Sequence, residues 1–169
     1  MFWLLFPIQM EKKGINSKKL RTVAGCFATG VSIVSVVNPD GEVHGMTASS
    51  FLSVSLDPPL VLFSLMNQNQ MASYLKVGDP LGISILTQEM EGVSNYFAKM
   101  GTLSTPPAFV EKAAAPVLED AHAWYATRVE QLIPAGDHIL VLCKVTDLAA
   151  SPEKNPLVYY QGYKKITSS

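Results

Sequence analysis

Short apolar runs rich in β-branched residues alternate along this chain with turn-forming residues. The run at 31–37 ends at Asn38-Pro39-Asp40-Gly41, a composition typical of a tight type I turn, so a hairpin into residues 42–46 is predicted. Other apolar runs predict further strands, at 49–56, 60–65, 81–86, 124–133 and 138–148, before a short apolar stretch at 156–166. Six or more strands in mainly consecutive order, with few helices, predict a mainly β protein built as an antiparallel barrel.

Helical spacing of apolar residues is confined to three short stretches. Ser17 is predicted to cap a first helix that ends near Thr29-Gly30. The apolar residues of this helix recur at helical intervals: Leu20, Val23, Ala24 and Phe27. A short helix is predicted near 71–77. A third, at 89–100, carries one apolar face, made of Val93, Tyr96, Phe97 and Met100.

Two proline-containing stretches predict interruptions of the regular structure. Asp57-Pro58-Pro59 predicts a break between strands, because a proline has no backbone N–H to donate to a ladder. Residues 101–116, rich in Pro, Ala and Gly, predict an irregular surface loop. No internal repeat or linker divides the pattern, so the elements predict one domain.

The length agrees with a single domain, since 169 residues is the size of one ordinary domain. We expect an N-terminal extension at 1–16 and one domain at 17–169. The extension opens with an apolar run that lacks the flanks of a signal peptide and is too short to span a bilayer. Two interpretations stay open: a segment that packs on a partner, or residues upstream of a natural start at Met10.

Charge and cysteine content exclude several classes of function. The net charge is −1 with no basic run, which argues against a nucleic-acid partner. Cys26 and Cys143 lie far apart, the three histidines are scattered, and no metal-ligand spacing is present, so we expect no metal site and a reducing cytoplasm. Charged residues make up only 16%, below the ~25% of typical soluble domains, and this predicts a surface partly covered in a homodimer.

The segment at 45–62, GMTASSFLSVSLDPPLVL, carries the candidate chemistry. Small residues such as Gly45 allow a flat ligand to approach the backbone closely, and hydroxyl groups offer neutral hydrogen bonds to carbonyls, ring nitrogens or a phosphate. Such a strand suits a polar heteroaromatic ring. An edge strand with one solvated face would show the same pattern, and the residues alone leave that alternative open.

Five segments, in order and spacing, resemble the flavin reductase-like family, the small reductases of two-component monooxygenase systems: FATGVSIVS, GMTASSFLSVSLDPPLVLFSL, LGISIL, YFA and GDHILVLCKV. The resemblance runs from about residue 20 to residue 163. It implies an FMN-binding split barrel, a homodimer, and reduction of FMN or FAD by NADH or NADPH. It also implies a monooxygenase partner that receives the reduced flavin.

The resemblance also implies a set of site residues. Those expected beside the flavin are Thr47, Ala48, Ser49, Ser50, Ser53, Val54, Ser64, Asn67, Asn69, Ser73, Phe97 and Ala98. Gly136, Asp137 and His138 match the nicotinamide side, with His138 as the catalytic residue. The turn at 66–74, expected to hold the flavin phosphate, contains no Lys or Arg, which predicts weak or exchangeable flavin binding.

Some of these residues also have a purely structural explanation, and the same fold could carry other functions. An amphipathic helix would bury Phe97 in any fold, and Gly136-Asp137 is a good turn before a strand. The same barrel could serve an electron carrier or sensor that binds flavin without reducing it. It could also serve a flavin-dependent oxidase of a small organic substrate.

Overall fold

The computed structural model describes residues 14–166. The expected division into an extension at 1–16 and a domain at 17–169 stays a prediction, because residues 1–13 lie outside the described part. Helix α1 spans Ser17–Ala24. The residue that caps it is Asn16, not Ser17: the Asn16 side chain accepts from the backbone N–H of Lys18 and Lys19. The helix is also shorter than predicted, since Gly25 ends it.

Within residues 14–166, twelve strands and a second helix follow α1. In chain order they are β1 (Thr29–Gly30), β2 (Ser32–Val37), β3 (Val43–Ala48), β4 (Leu52–Leu56), β5 (Pro59–Met66), β6 (Pro80–Ile85), α2 (Glu91–Phe97), β7 (Phe109–Lys112), β8 (Ala115–Leu118), β9 (Ala123–Ala135), β10 (His138–Ala150), β11 (Val158–Tyr159) and β12 (Tyr163–Lys164). Two 3₁₀ turns, Gln70–Ser73 and Gln88–Met90, lie before β6 and α2. The first replaces the helix predicted at 71–77, and the second takes the start of the helix predicted at 89–100.

Seven strands form one antiparallel sheet in the order β3-β2-β6-β9-β10-β5-β4. The long hairpin β9–β10 lies in its middle and carries β6 on one side and β5 on the other. Strands β3 and β4 are the two edges, joined by the three-residue link 49–51. Asp57-Pro58 is the turn of the β4–β5 hairpin, and Pro59 is the first residue of β5. The predicted break there is therefore a tight turn.

The sheet curls around one apolar core. Phe63 of β5, Ile83 of β6 and Val141 of β10 are fully buried, and they belong to a single cluster with residues of β2, β3 and β9. Because the edges β3 and β4 do not pair, the barrel stays split between them. The predicted mainly β fold and the split barrel are confirmed.

A second, smaller core lies against the other face of β2. Ile33 belongs to it, whereas its neighbour Val34 belongs to the barrel core, so both faces of β2 are buried. Val93 and Phe97 of α2 pack against this second core. The helix is thus held against the outside of β2 and β3, and its last residues lie over the edge of the sheet.

The region predicted as a surface loop, 101–116, contains β7 and the start of β8. All four residues of β8 are buried. Ser35 Oγ donates to the Pro116 carbonyl at 2.7 Å, and the Leu118 N–H donates to Ser84 Oγ at 2.9 Å. The prediction of an irregular loop was wrong because these anchoring contacts come from strands far away in the sequence.

Candidate functional site

One cavity of about 460 Å³ opens along the edge strand β3. Its walls come from β3, from the turn after β5 and from the end of α2. We call it the edge cavity; the residues that line it are His44, Gly45, Met46, Thr47, Met66, Gln68, Asn69, Gln70, Phe97, Ala98 and Lys99. Because β3 pairs with β2 on one side only, its outer backbone N–H and C=O groups are free to bind a ligand.

In this cavity the Phe97 ring packs closely against the backbone of Gly45. A Cβ atom on Gly45 would lie 2.7 Å from Cε1 of the Phe97 ring, closer than real contacts allow. Phe97 also packs edge-on against Phe109, with ring centroids 5.9 Å apart. Gly45 therefore makes room for the Phe97 ring, whereas the sequence suggested that it makes room for a ligand. Phe97 is half-buried: it packs against the second core and also forms a wall of the cavity.

Thr47 and Ala48 use their side chains inside the protein. Thr47 Oγ1 donates to the Ser94 carbonyl of α2 at 2.6 Å, and the Ala48 side chain belongs to the barrel core. Thr47 still lines the edge cavity. Because these side chains are engaged within the protein, a ligand beside β3 would contact mainly backbone N–H and C=O groups.

A second cavity, of about 610 Å³, lies beside the link between β3 and β4, and we call it the link cavity. Its lining includes Ser49, Ser50 and Phe51 of the link, residues 27–32 and Ile85. Ser50 Oγ accepts from the Ser64 N–H at 3.0 Å, so this predicted pair ties the link to β5. The other two predicted residues of this region, Ser53 and Val54 on β4, are exposed and line neither cavity.

The turn after β5 bonds mostly to itself and to the turn between β9 and β10. Asn67 Nδ2 donates to the Gly136 carbonyl at 3.2 Å. Asn69 Oδ1 accepts from the Met71 N–H, and Ser73 Oγ donates to the Gln70 carbonyl. Of these three predicted residues, only Asn69 lines the edge cavity.

His138 begins β10 and pairs with Met66, a residue of the edge cavity. Asp137 Oδ1 lies 2.7 Å from His138 Nδ1, and this hydrogen bond holds the pKa of the Asp137 carboxyl below its usual value. An ionised carboxylate only accepts, so Nδ1 carries the proton and Nε2 stays available. Gly136, at φ +66°, makes the turn that presents this pair.

Sequence reasoning missed His44 and Lys99. His44 Nδ1 is hydrogen-bonded to the Tyr74 hydroxyl. Burial, and then the positive charge of Lys99, lower the pKa of His44 below its ordinary value, so the ring is neutral at pH 7. Lys99 is the one Lys or Arg side chain among the described residues that line the edge cavity.

Lys99 has a backbone conformation that is unusual for a residue other than glycine. The Lys99 N–H donates to the Tyr96 carbonyl at 3.0 Å and the Met100 N–H to the Asn95 carbonyl at 2.9 Å, which together form a Schellman motif at the end of α2. Lys99 has φ +58°, the left-handed conformation that costs a non-glycine residue about 1–2 kcal/mol. No signal in the sequence marks this position, since glycine is the expected residue there.

Within residues 14–166, no group of three or more His, Cys, Asp or Glu side chains is placed to hold a metal ion. No helix in this part of the chain is long and apolar enough to cross a membrane. Cys26 is exposed and Cys143 is buried. Burial raises the pKa of the Cys143 thiol to about 12, so this group stays protonated and unreactive at neutral pH.

Comparison with known proteins places this geometry in a family. The flavin reductase like domain matches residues 24–167. The chain is 39% identical over 150 residues to the NADH-dependent flavin reductase StyB of Pseudomonas fluorescens, which covers 86% of this chain and 87% of the relative.

Two solved structures have the same fold. The styrene monooxygenase flavin reductase SMOB from Pseudomonas putida S12 is 35% identical, with a TM-score of 0.80 over 89% of this chain and 98% of that one. The Streptomyces globisporus C-1027 NADH:FAD oxidoreductase SgcE6, in complex with NAD and FAD fragments, is 30% identical, with a TM-score of 0.78 over 89% and 92%. The chain therefore belongs to the flavin reductase like domain family, and by sequence and fold it is an oxidoreductase of the flavin reductase class.

Proposed function

We propose that this protein transfers a hydride from NADH to a flavin, FMN or FAD, bound along the outer edge of β3. The observation that carries this proposal is the edge cavity itself. It combines the free backbone edge of β3, the aromatic ring of Phe97, neutral donors on Asn69 and Gln70, and the cation of Lys99. His138 lies at its border, across the ladder from Met66.

The residues present fit a flavin. The volume of about 460 Å³ lies in the ~300–1,000 Å³ range of small-molecule sites. Flavin ring carbonyls and nitrogens need neutral donors and acceptors, which an edge strand supplies. In this proposal the ring extends from the edge cavity, which Thr47 lines, past the end of β3 to the link cavity, which Ser49 and Ser50 line, as the family resemblance implies. Asn69 lies on the phosphate side.

The nicotinamide side of the proposed site is the turn Gly136-Asp137-His138. When bound, the flavin supplies the redox chemistry by accepting the hydride that NADH gives up. The protein fixes the approach of the two rings. Asp137 holds the proton on His138 Nδ1, and His138 Nε2 is left to contact the nicotinamide. The neighbouring Asn67 bonds this turn to the end of β5, which keeps His138 at the cavity.

An anaerobic assay of NADH and NADPH oxidation with FMN, FAD and riboflavin in turn tests this function. Fast oxidation that depends on added flavin supports the proposal. Tight flavin binding without NAD(P)H oxidation would identify an electron carrier or sensor instead. Slow oxidation together with bleaching of bound flavin by a small organic substrate would identify an oxidase.

Ser49 follows the end of β3 and lines the link cavity, so it tests whether the ring reaches that cavity. We expect Ser49→Leu to raise the Kd for FMN at least about tenfold, because a branched side chain would fill space that the ring needs. Ser49 is exposed, so the thermal midpoint should stay unchanged. Ser104→Leu, the same change on an exposed loop, is the control for both measurements. An unchanged Kd in Ser49→Leu would remove this residue from the site.

We also propose that the chain forms a homodimer, as its low charge content suggests. None of the residues of α1 is buried, and Leu20, Val23 and Phe27 are 59%, 61% and 79% exposed. Of the apolar face predicted for this helix, Leu20 and Val23 lie on α1 and Phe27 lies in the turn after it, and all three are exposed within the described chain. On β4, Leu56 is 91% exposed. A second copy that covered these side chains would remove a large apolar surface from water.

Light scattering measures the oligomeric state directly. We expect a mass twice that of one chain at micromolar concentration. The double variant Val23→Asp/Phe27→Asp should give the single-chain mass, because it places charges on exposed apolar positions of α1 and of the turn that follows it. A wild-type protein with the mass of one chain contradicts the proposal.

A further proposal concerns the partner. The reductase SMOB is by its name the flavin reductase of a styrene monooxygenase. We infer that this chain likewise passes reduced flavin to a monooxygenase component, and that it works in the cytoplasm, where NADH is available. Oxygen-dependent turnover by a candidate oxygenase, with this protein as the only source of reduced flavin, tests the pairing.

A further inference from the structure

We propose that Tyr163 of β12 is a positioning residue of the flavin site, and that it acts through α2. The inference rests on the proposed function and adds a residue from the far end of the chain to that site. Tyr163 lines neither the edge cavity nor the link cavity, so it does not touch a flavin bound there. Its hydroxyl instead fixes the helix whose end forms one wall of the edge cavity.

Helix α2 has little of its own to fix its position. It has only seven residues, and its N-cap residue, Met90, makes no side-chain capping bond. A helix this short is not stable alone, so its contacts with the rest of the chain place it. Val93 and Phe97 pack on the second core, but apolar packing is not directional. Directional hydrogen bonds to neighbouring elements are therefore what can set the exact position of Phe97 at the cavity.

Those hydrogen bonds meet at Ser94, which is fully buried on α2. The Ser94 carbonyl accepts from Thr47 Oγ1 at 2.6 Å, and Thr47 belongs to the β3 wall of the edge cavity. The Ser94 Oγ atom is hydrogen-bonded to the Tyr163 hydroxyl at 2.9 Å. Ser94 thus joins α2 to β3 through its carbonyl and to β12 through its side chain. Phe97 follows one helical turn later and moves with it.

The Tyr163 hydroxyl uses both its proton and its oxygen on α2. It donates to Asn95 Oδ1 at 3.2 Å. A phenol has one proton to donate, so Tyr163 accepts from Ser94 Oγ. Loss of this hydroxyl would leave the buried Ser94 Oγ without an acceptor, which is costly. We expect the helix to shift toward another partner for this group, and the cavity wall to shift with it.

Tyr163 is held in place by elements other than α2. Its strand pairs with β11, and β11 pairs with β1. The Tyr163 ring packs against the second core and contacts the Tyr159 ring edge-on, with centroids 5.5 Å apart. The small sheet β1-β11-β12 is therefore a support outside the barrel, and the Tyr163 hydroxyl passes its position on to α2.

Three variants and a control separate positioning from simple stability. Tyr163→Phe removes the hydroxyl and keeps the ring in the second core. Ser94→Ala removes Oγ and keeps the carbonyl that Thr47 uses; the third variant combines both changes. Tyr159→Phe is the matched control, because within residues 14–166 the Tyr159 hydroxyl, on the neighbouring strand, forms no hydrogen bond and the residue is 44% exposed.

For each protein the Kd for FMN is measured by flavin fluorescence, and the environment of bound FMN by its visible circular dichroism. The KM for NADH is measured at saturating FMN. All are recorded at a temperature where far-ultraviolet circular dichroism shows every variant folded, so that a change in stability alone moves none of them. The thermal midpoint without ligand is recorded separately.

We expect Tyr163→Phe to raise the Kd for FMN about fivefold, while the KM for NADH changes by about twofold at most. The visible circular dichroism of bound FMN should change, because the Phe97 ring moves relative to the flavin. Ser94→Ala should also weaken FMN binding. The double variant should bind FMN about as Tyr163→Phe does, since both changes remove the same hydrogen bond. Tyr159→Phe should equal the wild type.

An unchanged Kd and an unchanged flavin signal in Tyr163→Phe, whatever its thermal midpoint, would overturn the proposal by showing a hydroxyl that only supports the fold. Losses that multiply in the double variant would overturn it too, because the two side chains would then act separately. If Tyr163→Phe does not fold, Ser94→Ala decides alone, and an unchanged Kd there counts against the proposal. The proposed function fails by a different result: wild-type protein that oxidises no NADH with any flavin, whatever the variants bind.

Discussion

Replacing Gly82 by alanine is expected to abolish the folded protein. A Cβ atom on Gly82 would lie 1.7 Å from the carbonyl oxygen of Pro116 and 3.0 Å from Ser35 Oγ. The first of these contacts is with backbone, which cannot rotate away. The strand β8 would have to leave β6, and with it four buried residues would return to water. We expect a loss of at least about 4–5 kcal/mol in the free energy of unfolding.

Chemical denaturation followed by circular dichroism measures this loss. Gly30→Ala is the matched control, because a Cβ there meets nothing within 4 Å and no positive φ is involved. If Gly82→Ala were soluble, with a midpoint close to that of Gly30→Ala, then β8 would not be packed on β6 as described.

The second large effect is expected at His138. If His138 positions the nicotinamide, its loss should lower kcat/KM for NADH about 10²-fold, since a misplacement of ~1 Å can cost that much in rate. The affinity for flavin should change little. The His138 side chain is 35% exposed and its only described hydrogen bond is to the exposed Asp137, so the thermal midpoint should barely move. Steady-state kinetics, flavin affinity and the midpoint are measured on one preparation of His138→Ala.

His122→Ala is the control for His138→Ala. His122 precedes the other end of β9, thirteen residues before Ala135, and therefore lies far from the turn that presents His138. Its kinetics should equal those of the wild type. Normal kinetics combined with a lowered midpoint in His138→Ala would show a histidine that only supports the fold, and would end its catalytic assignment.

The strands could be predicted because their signal is local. The β-branched run of β2, the turn residues after it and the aliphatic run of β5 each indicate their own structure without reference to the rest of the chain. The helices were predicted less well. The cap of α1 was assigned to Ser17 when its neighbour Asn16 makes the hydrogen bonds, a difference of one residue that spacing cannot resolve.

The candidate site was predicted only in part, because its remaining features come from distant segments. Lys99 was missed since a positive φ in a lysine leaves no mark in the sequence. Gly45 was noticed, but its reason, the Phe97 ring, comes from a helix fifty residues later. The hydroxyl groups of Thr47 and Ser50 were assigned to a ligand, and the fold uses both to bond neighbouring backbone. Composition identified a polar strand and could not say which way its groups point.

Because the barrel is split between β3 and β4, the width of the edge cavity depends on substitutions elsewhere in the sheet. Its two long walls, β3 and the end of β5, are separated in the sheet by four strands, β2, β6, β9 and β10. The distance between the walls is therefore set mainly by the curvature of the whole sheet, together with the link 49–51 and the His44–Tyr74 hydrogen bond. A bulky substitution in the middle of β9 or β10 would widen or narrow the cavity without touching any residue that lines it. In this molecule the width of the edge cavity therefore depends on the shape of the whole barrel as well as on the residues that line the cavity.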